Sequence, residues 1–223
     1  MGQVRAIVFD VGGTLIYPAN PVGETYARFA HAHGIRLPAE ATTTAFREAM
    51  KSCARAKGTV PSDGNDRAWW KQVVLRSLPE KTFSEPDVFE AFFEEVYLYY
   101  AKPEAWGVYP EVPEVLEALR DHAVDLAVLT NWDGRLHPVL DGHGLGEWLH
   151  HRFISAELGW EKPDLAIYRH VADVLRLPPD NLLSVGDDPR NDVEGPRRAG
   201  WQAVQIERPK RDLWAAVRAI AKR

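Results

Sequence analysis

The chain has 223 residues, 45% hydrophobic and 26% charged, the make-up of a folded globular protein rather than a disordered one. A formal charge of −5 with no basic tract argues against nucleic acid as a partner, and no apolar run approaches the ~18 residues of a membrane span. Cys53 is the single cysteine, so no internal disulfide forms. With no leader-like segment ahead of the first strand, the expected setting is the cytoplasm.

Val4, Ala6, Ile7, Val8 and Phe9 make an apolar run suited to a parallel strand buried on both faces. The run stops at Asp10, which is followed by Gly12, Gly13 and Thr14. Ligands of open α/β sheets bind beyond the carboxyl ends of strands, so a carboxylate there points toward a site. The glycines let backbone amides come close to an anion. From Leu15 the pattern turns helical. Val22, Tyr26, Phe29 and His33 share a face that Gly34 ends, and a second helix spans roughly 40–57, with Phe46, Ala49, Met50 and Cys53 on one side. Residues 58–65 read as a loop. Trp69, Trp70, Val73, Val74 and Leu78 mark a third helix. Ser84 and Asp87 form a capping box for a fourth, whose Phe89, Phe92, Phe93, Val96, Tyr97 and Tyr100 read as packing among the helices.

Pro103 to Pro113 is a linker, after which helices and strands alternate. Helices are expected over 114–122, 135–140, 164–175, 191–199 and 211–221, and strands over 125–130, 152–155, 181–185 and 202–206. Alternation of this kind predicts an α/β fold with a doubly wound, Rossmann-like parallel sheet. Residues 1–17 and 106–223 then form the core, and 18–105 form an inserted all-helical domain.

Strand ends carry the chemistry. Thr130-Asn131 closes one strand, Gly186-Asp187-Asp188 closes another ahead of Asn191-Asp192, and Lys162 stands just before a helix capped by Asp164. Taken singly, these also read as a strand-end threonine, a first-turn acid and a surface lysine. Brought together, carboxylates without a cation would force one of their number to take a proton. Magnesium resolves this, because it prefers hard oxygen ligands. A carboxylate beside it can attack phosphorus and form an aspartyl phosphate, with Thr130, Lys162 and the amides of Val11 and Gly12 as donors to the phosphoryl oxygens.

Asp10-Val11-Gly12-Gly13-Thr14-Leu15, Thr130-Asn131, Lys162-Pro163 and Gly186-Asp187-Asp188 with Asn191-Asp192 resemble, in order, the four motifs of the haloacid dehalogenase-like hydrolases. Pro21-Val22-Gly23-Glu24-Thr25-Tyr26 and Trp69-Trp70 with Val73-Val74 resemble one subgroup of that family. The resemblance implies that the helical insertion is a cap over the strand ends. It implies Asp10 as nucleophile and magnesium ligand, the Gly12 carbonyl and Asp187 as further ligands, and Asp192, or else Asp188, holding a metal-bound water. Thr130, Asn131 and Lys162 would bind the phosphoryl group of a small phosphorylated metabolite.

One position departs from the pattern. Family phosphatases usually carry a second aspartate two residues after the nucleophile, as acid and base, and this chain has Gly12 there. General acid–base catalysis contributes ~10²–10⁴-fold, so poor leaving groups such as sugar alkoxides should suffer most. Three readings follow. The first is a weakened or atypical phosphatase, with Glu24, Asp63 or Asp66 of the cap as substitute acid. The second is a dehalogenase, or a phosphonatase using Lys51 or Lys57; the intact acidic fourth motif counts against a dehalogenase. The third is a non-catalytic binding or regulatory module on the same scaffold. Gly142 to Gly146 is glycine-rich but follows a helix, so it is no dinucleotide fingerprint, and His137, His143, His150 and His151 read as a solvated region.

Overall fold

The computed structural model describes residues 2–53 and 59–221. In chain order it has β1 (Ala6–Phe9), β2 (Ile16–Pro18), the helices α1 (Val22–Ala32), α2 (Ala39–Ser52), α3 (Asp63–Arg76) and α4 (Pro86–Tyr99), and β3 (Trp106–Val108). Then come α5 (Val112–Arg120), β4 (Asp125–Thr130), α6 (Leu136–Gly142), β5 (His151–Ile154), α7 (Ser155–Leu158), α8 (Leu165–Leu175) and β6 (Leu182–Gly186). A π-helical turn (Pro189–Glu194), α9 (Gly195–Arg198), β7 (Gln202–Gln205) and α10 (Trp214–Ala221) complete it.

Five strands form one sheet in the order β5-β4-β1-β6-β7, every neighbouring pair parallel. β1 takes the centre because both of its faces are apolar. Ile7 and Phe9 join one buried cluster with Val115, Leu116 and Leu119 of α5 and Leu140 of α6. Ala6 and Val8 join another with Ile167, Tyr168 and Val171 of α8. Phe9 pairs with Val128 on one side and Val185 on the other, so Asp10 leaves the sheet beside the ends of β4 and β6.

Helices α1 to α4 have a core of their own, built on Val22, Tyr26, Ala30, Val74, Phe89, Phe92, Phe93 and Val96. Tyr26 meets Phe92 edge-to-face with ring centroids 6.0 Å apart.

Several local expectations give way to tighter chemistry. Helix α4 begins at Pro86 with no side-chain cap, so Ser84 does not cap it; proline has no N–H to satisfy and its fixed φ opens a helix. Ser62 caps α3 instead, its Oγ accepting from the Asn65 N–H at 3.3 Å, which draws 63–65 out of the expected loop into helix. Ile16–Pro18 pairs antiparallel with Trp106–Val108, where a helix onset and a linker were expected. Three-residue strands are too short to show alternation. The helix expected at 191–199 is instead the π-helical turn followed by α9: the Asp188 carboxylate accepts from the N–H groups of Arg190 (2.9 Å) and Asn191 (2.7 Å) and starts the turn earlier. The end of the second expected helix, with Lys57, lies outside the described residues.

Candidate active site

Asp10 follows the last residue of β1, and the chain turns at once. Leu15 and Ile16 donate backbone N–H bonds to the Val11 carbonyl at 2.8 and 3.1 Å, and Gly13 donates to Ile16 O at 2.8 Å. Among the described residues the amides of Val11 and Gly12 have no such partner. Gly13 has φ of +82°, and an added Cβ would sit 2.7 Å from an Asp187 oxygen, so only glycine fits this turn. The turn sets Asp10 opposite Asp187, which follows β6.

Asp10, Asp187 and Asp192 each present a carboxylate oxygen within 4.8 Å of the others. Lys162 rises between them from the loop before α8. Its Nζ donates to Asp10 Oδ1 and Asp192 Oδ1, both at 2.7 Å. The other oxygen of Asp192 accepts from the Asp188 N–H at 3.0 Å, and Thr14 Oγ1 donates to Asp187 Oδ1 at 3.2 Å. Thr130, buried at the end of β4, completes the polar floor.

Burial pulls the Lys162 ammonium down, but the Asp10 and Asp192 carboxylates override it and hold the group charged, above the ordinary lysine range. Burial pushes Asp192 up to about 7; the Asp10 charge adds to this and Lys162 opposes it. Asp187 is raised for the same first two reasons, with the Thr14 hydrogen bond opposing. One ammonium is thus too little positive charge for three neighbouring carboxylates.

Two expected residues have other work. Asn131 spends its side chain on the Lys162 backbone, accepting from its N–H at 2.7 Å and donating to its carbonyl at 2.9 Å, so it fixes the lysine loop. Asp188 is outside the acidic triad and caps the π-helical turn. The job of Asn131 is not legible from sequence, because its partner lies 31 residues away, whereas that of Asp188 is local: it caps N–H groups two and three residues ahead, just before Pro189.

Above the floor lies a cavity of about 420 Å³ reached by all five strand-end and loop groups, Asp10, Thr130, Lys162, Asp187 and Asp192. Its upper wall is aromatic. Phe93, Val96, Tyr97 and Tyr100 of the α4 stripe line it, so that stripe packs among the helices and also walls the site. Glu24, Asp63 and Asp66 do not line the cavity: Glu24 is exposed, Asp66 is buried among the helices, and Asp63 accepts from the Gly134 N–H at 3.0 Å. Lys51 is exposed and also off the cavity.

Sequence reasoning missed two arginines. Arg135 lines the cavity, pairs with buried Asp133 through two bonds of 2.8 Å, donates to the Tyr97 carbonyl at 3.2 Å, and lies 3.6 Å over the Tyr97 ring. Arg208 donates to the carbonyls of Gly13 and Thr14, each at 2.8 Å, and to Glu111, with its guanidinium 3.5 Å over Tyr109. The only trace of the first in sequence is the Asp133-Gly134-Arg135 spacing; the second has none, being almost 200 residues from the two carbonyls it holds and 97 from Glu111.

A parallel sheet with an acidic cluster and a lysine at its strand ends defines a doubly wound α/β protein with a carboxylate site at the strand ends. The family model for haloacid dehalogenase-like hydrolases matches residues 4–200, and the chain belongs to that family. Among curated relatives it is 30% identical over 213 residues to human haloacid dehalogenase-like hydrolase domain-containing protein 3, covering 93% of this chain and 84% of the relative. The mouse protein of the same name is 30% identical over 209 residues, covering 92% and 82%. This is the subgroup that Pro21–Tyr26 and the Trp69-Trp70 segment resemble. Among solved structures, L-2-haloacid dehalogenase from Xanthobacter autotrophicus matches with a TM-score of 0.72 at 22% identity, over 99% of this chain and 83% of that one. A HAD phosphatase from Thermococcus onnurineus matches at 0.63 and 22%, over 92% and 87%. At that identity the structural likenesses speak for the fold. No helix among the described residues is long and apolar enough to cross a membrane.

Proposed function

We propose that the protein is a magnesium-dependent phosphomonoesterase acting through an aspartyl phosphate on Asp10, with activity limited by Gly12, and that residues 18–105 act as its cap. The observation that carries this reading is Lys162 Nζ held 2.7 Å from both Asp10 and Asp192, beside Asp187, on the floor of the cavity.

The donor set fits a hard divalent cation: three carboxylates converge and a single ammonium leaves negative charge over. Asp10, Asp187 and the Gly12 carbonyl would hold it, with Asp192 behind them through water and Asp188 nearby. Bound there, magnesium supplies positive charge to the phosphoryl oxygens and keeps the carboxylates ionised. Asp10 attacks phosphorus, while Lys162, Thr130 and the amides of Val11 and Gly12 meet the charge that spreads over the phosphoryl oxygens. The aromatic wall excludes bulk water during the transfer. The substrate is then a small phosphorylated molecule, with no role for nucleic acid or membrane, and the setting is the cytoplasm.

The missing acid favours a second reading, a binding or regulatory module that keeps the scaffold, because no cap carboxylate considered as a substitute reaches the cavity. Phosphate release from a panel of phosphomonoesters with and without magnesium, with Asp10→Asn as control, separates the two. Release that needs both magnesium and Asp10 supports the phosphatase. Saturable binding with no release supports the module.

A further inference from the structure

The walls of the cavity differ in kind. The floor carries the charge, and the space beyond it, where a leaving group must lie, is bounded by rings. Trp132 is the ring nearest the missing acid: a Cβ built on Gly12 would sit 3.5 Å from its Cζ3. The Trp132 ring lies 4.9 Å from that of Trp106, and Trp70 and Tyr97 continue the wall under Arg135.

Among the described residues, charge in this cavity is already spent: its lining cations there are Lys162 and Arg135. Lys162 is committed to Asp10 and Asp192, and Arg135 to Asp133 and the Tyr97 carbonyl. The Tyr97 hydroxyl also turns to Asp133, at 3.2 Å. Among the described residues a leaving group bearing a second phosphate or a carboxylate meets no uncommitted cation, and most hydroxyls of a sugar would face rings, with the buried Tyr100 hydroxyl as a polar exception in the wall. A flat conjugated ring instead gains contacts with the rings of Trp132, Trp106, Trp70 and Tyr97.

Chemistry at the leaving oxygen selects the same class independently. Without an acid at position 12, the oxygen departs as an anion, which a phenolate tolerates and a sugar alkoxide does not. We propose that the substrate class is the phosphate monoester of an aromatic hydroxyl, a phenol or larger fused ring, with no second charged group. This rests on the phosphatase reading above. In the first step a bond forms between Asp10 carboxylate oxygen and phosphorus while the phosphorus–aryl oxygen bond breaks. The pair of electrons leaves with the phenolate, which takes a proton from solvent. In the second, water attacks phosphorus, the Asp10 oxygen–phosphorus bond breaks, inorganic phosphate leaves, and the proton of the water passes to solvent.

The test uses the full chain with magnesium and four substrates: phenyl phosphate, 2-naphthyl phosphate, glucose 6-phosphate, and acetyl phosphate as a small ester with a good leaving group. The expected result is a kcat/KM for 2-naphthyl phosphate at least a hundredfold above that for glucose 6-phosphate, and a ratio that falls at least tenfold in Trp132→Leu. A ratio between two substrates on one variant is insensitive to the fraction of that variant that folds. The second measurement, on Asp10→Asn so that nothing turns over, is quenching of tryptophan fluorescence by naphthyl phosphonate, expected to saturate at a Kd at least tenfold below that of glucose 6-phosphate read from its displacement of the phosphonate. Comparable rates for the aryl and sugar esters, an unchanged ratio in Trp132→Leu, or equal affinities overturn the aromatic class and leave the phosphatase reading standing. No magnesium- and Asp10-dependent release from any of the four, acetyl phosphate included, overturns both.

Discussion

Gly12→Asp is the substitution that probes the site most directly. The Gly12 φ lies outside the left-handed region, and the nearest atom to an added Cβ is Trp132 Cζ3 at 3.5 Å, an ordinary van der Waals contact. The backbone can therefore accept the side chain without shifting. The new carboxyl would stand between an indole and the Asp10 carboxylate, and both burial and like charge push such a group toward its protonated form, the one that donates to a leaving oxygen. A general acid is worth ~10²–10⁴-fold, or about 3–5 kcal/mol of barrier. That full gain applies only where the leaving oxygen needs a proton. We expect kcat on an alkyl phosphate to rise on the order of 100-fold in Gly12→Asp, and kcat on 4-nitrophenyl phosphate to change by only a few-fold. Steady-state release of phosphate from the two esters, with melting temperature as a check on folding, reads the difference. Equal gains on both esters, or no gain on either in a folded variant, would refute the assignment of position 12 to the leaving group.

The remaining expectations concern the supports of the site. Lys162→Met removes the ammonium between Asp10 and Asp192; losing one partner of a buried pair costs about 3–5 kcal/mol, so melting should fall by roughly 10 °C, and less at pH 5 than at pH 8. Wild-type melting within a couple of degrees would show that the pair is not buried as described. Because burial and Asp10 raise Asp192 to about 7, the folded state keeps a proton that the unfolded chain loses near the ordinary carboxylate value of 3.8. Metal-free stability, measured relative to Asp192→Asn, should therefore fall as pH rises from about 4 to 7 and level off above, while magnesium should raise the melting temperature more at pH 8 than at pH 6. Pressing on the carbonyls of Gly13 and Thr14, Arg208 holds the turn behind the nucleophile. Arg208→Lys should lower kcat while the melting temperature stays within a few degrees of wild type, and a fall in kcat matched by an equal fall in the folded fraction would point to a general loss of fold instead. Asp133→Ala leaves Arg135 without its two-point partner beside Tyr97, and should raise KM for aryl phosphates as the cavity wall loosens.

Much of this protein is written locally. The apolar run Ala6–Phe9 satisfies both faces of a central strand, and the alternation after residue 110 specifies a parallel sheet, because each periodicity is a property of neighbouring residues. The polar residues at strand ends were legible for the same reason: a strand that stops at Asp10, Thr130 or Gly186 delivers the next side chains to one edge. What the chain alone left open depends on meetings between distant segments. The lysine at 162 could have been a surface cation, and its place between residues 10 and 192 follows only from the strand order that seats β1 between β4 and β6. Asn131 carries the right chemistry for a ligand, yet the fold presents it with the Lys162 backbone, and a short hydrogen bond to a nearby N–H wins over a more distant ligand; the cap that Asp188 makes is local. The aromatic residues of α4 announce packing by their spacing, but only the placement of that helix over the sheet turns part of the stripe into a cavity wall.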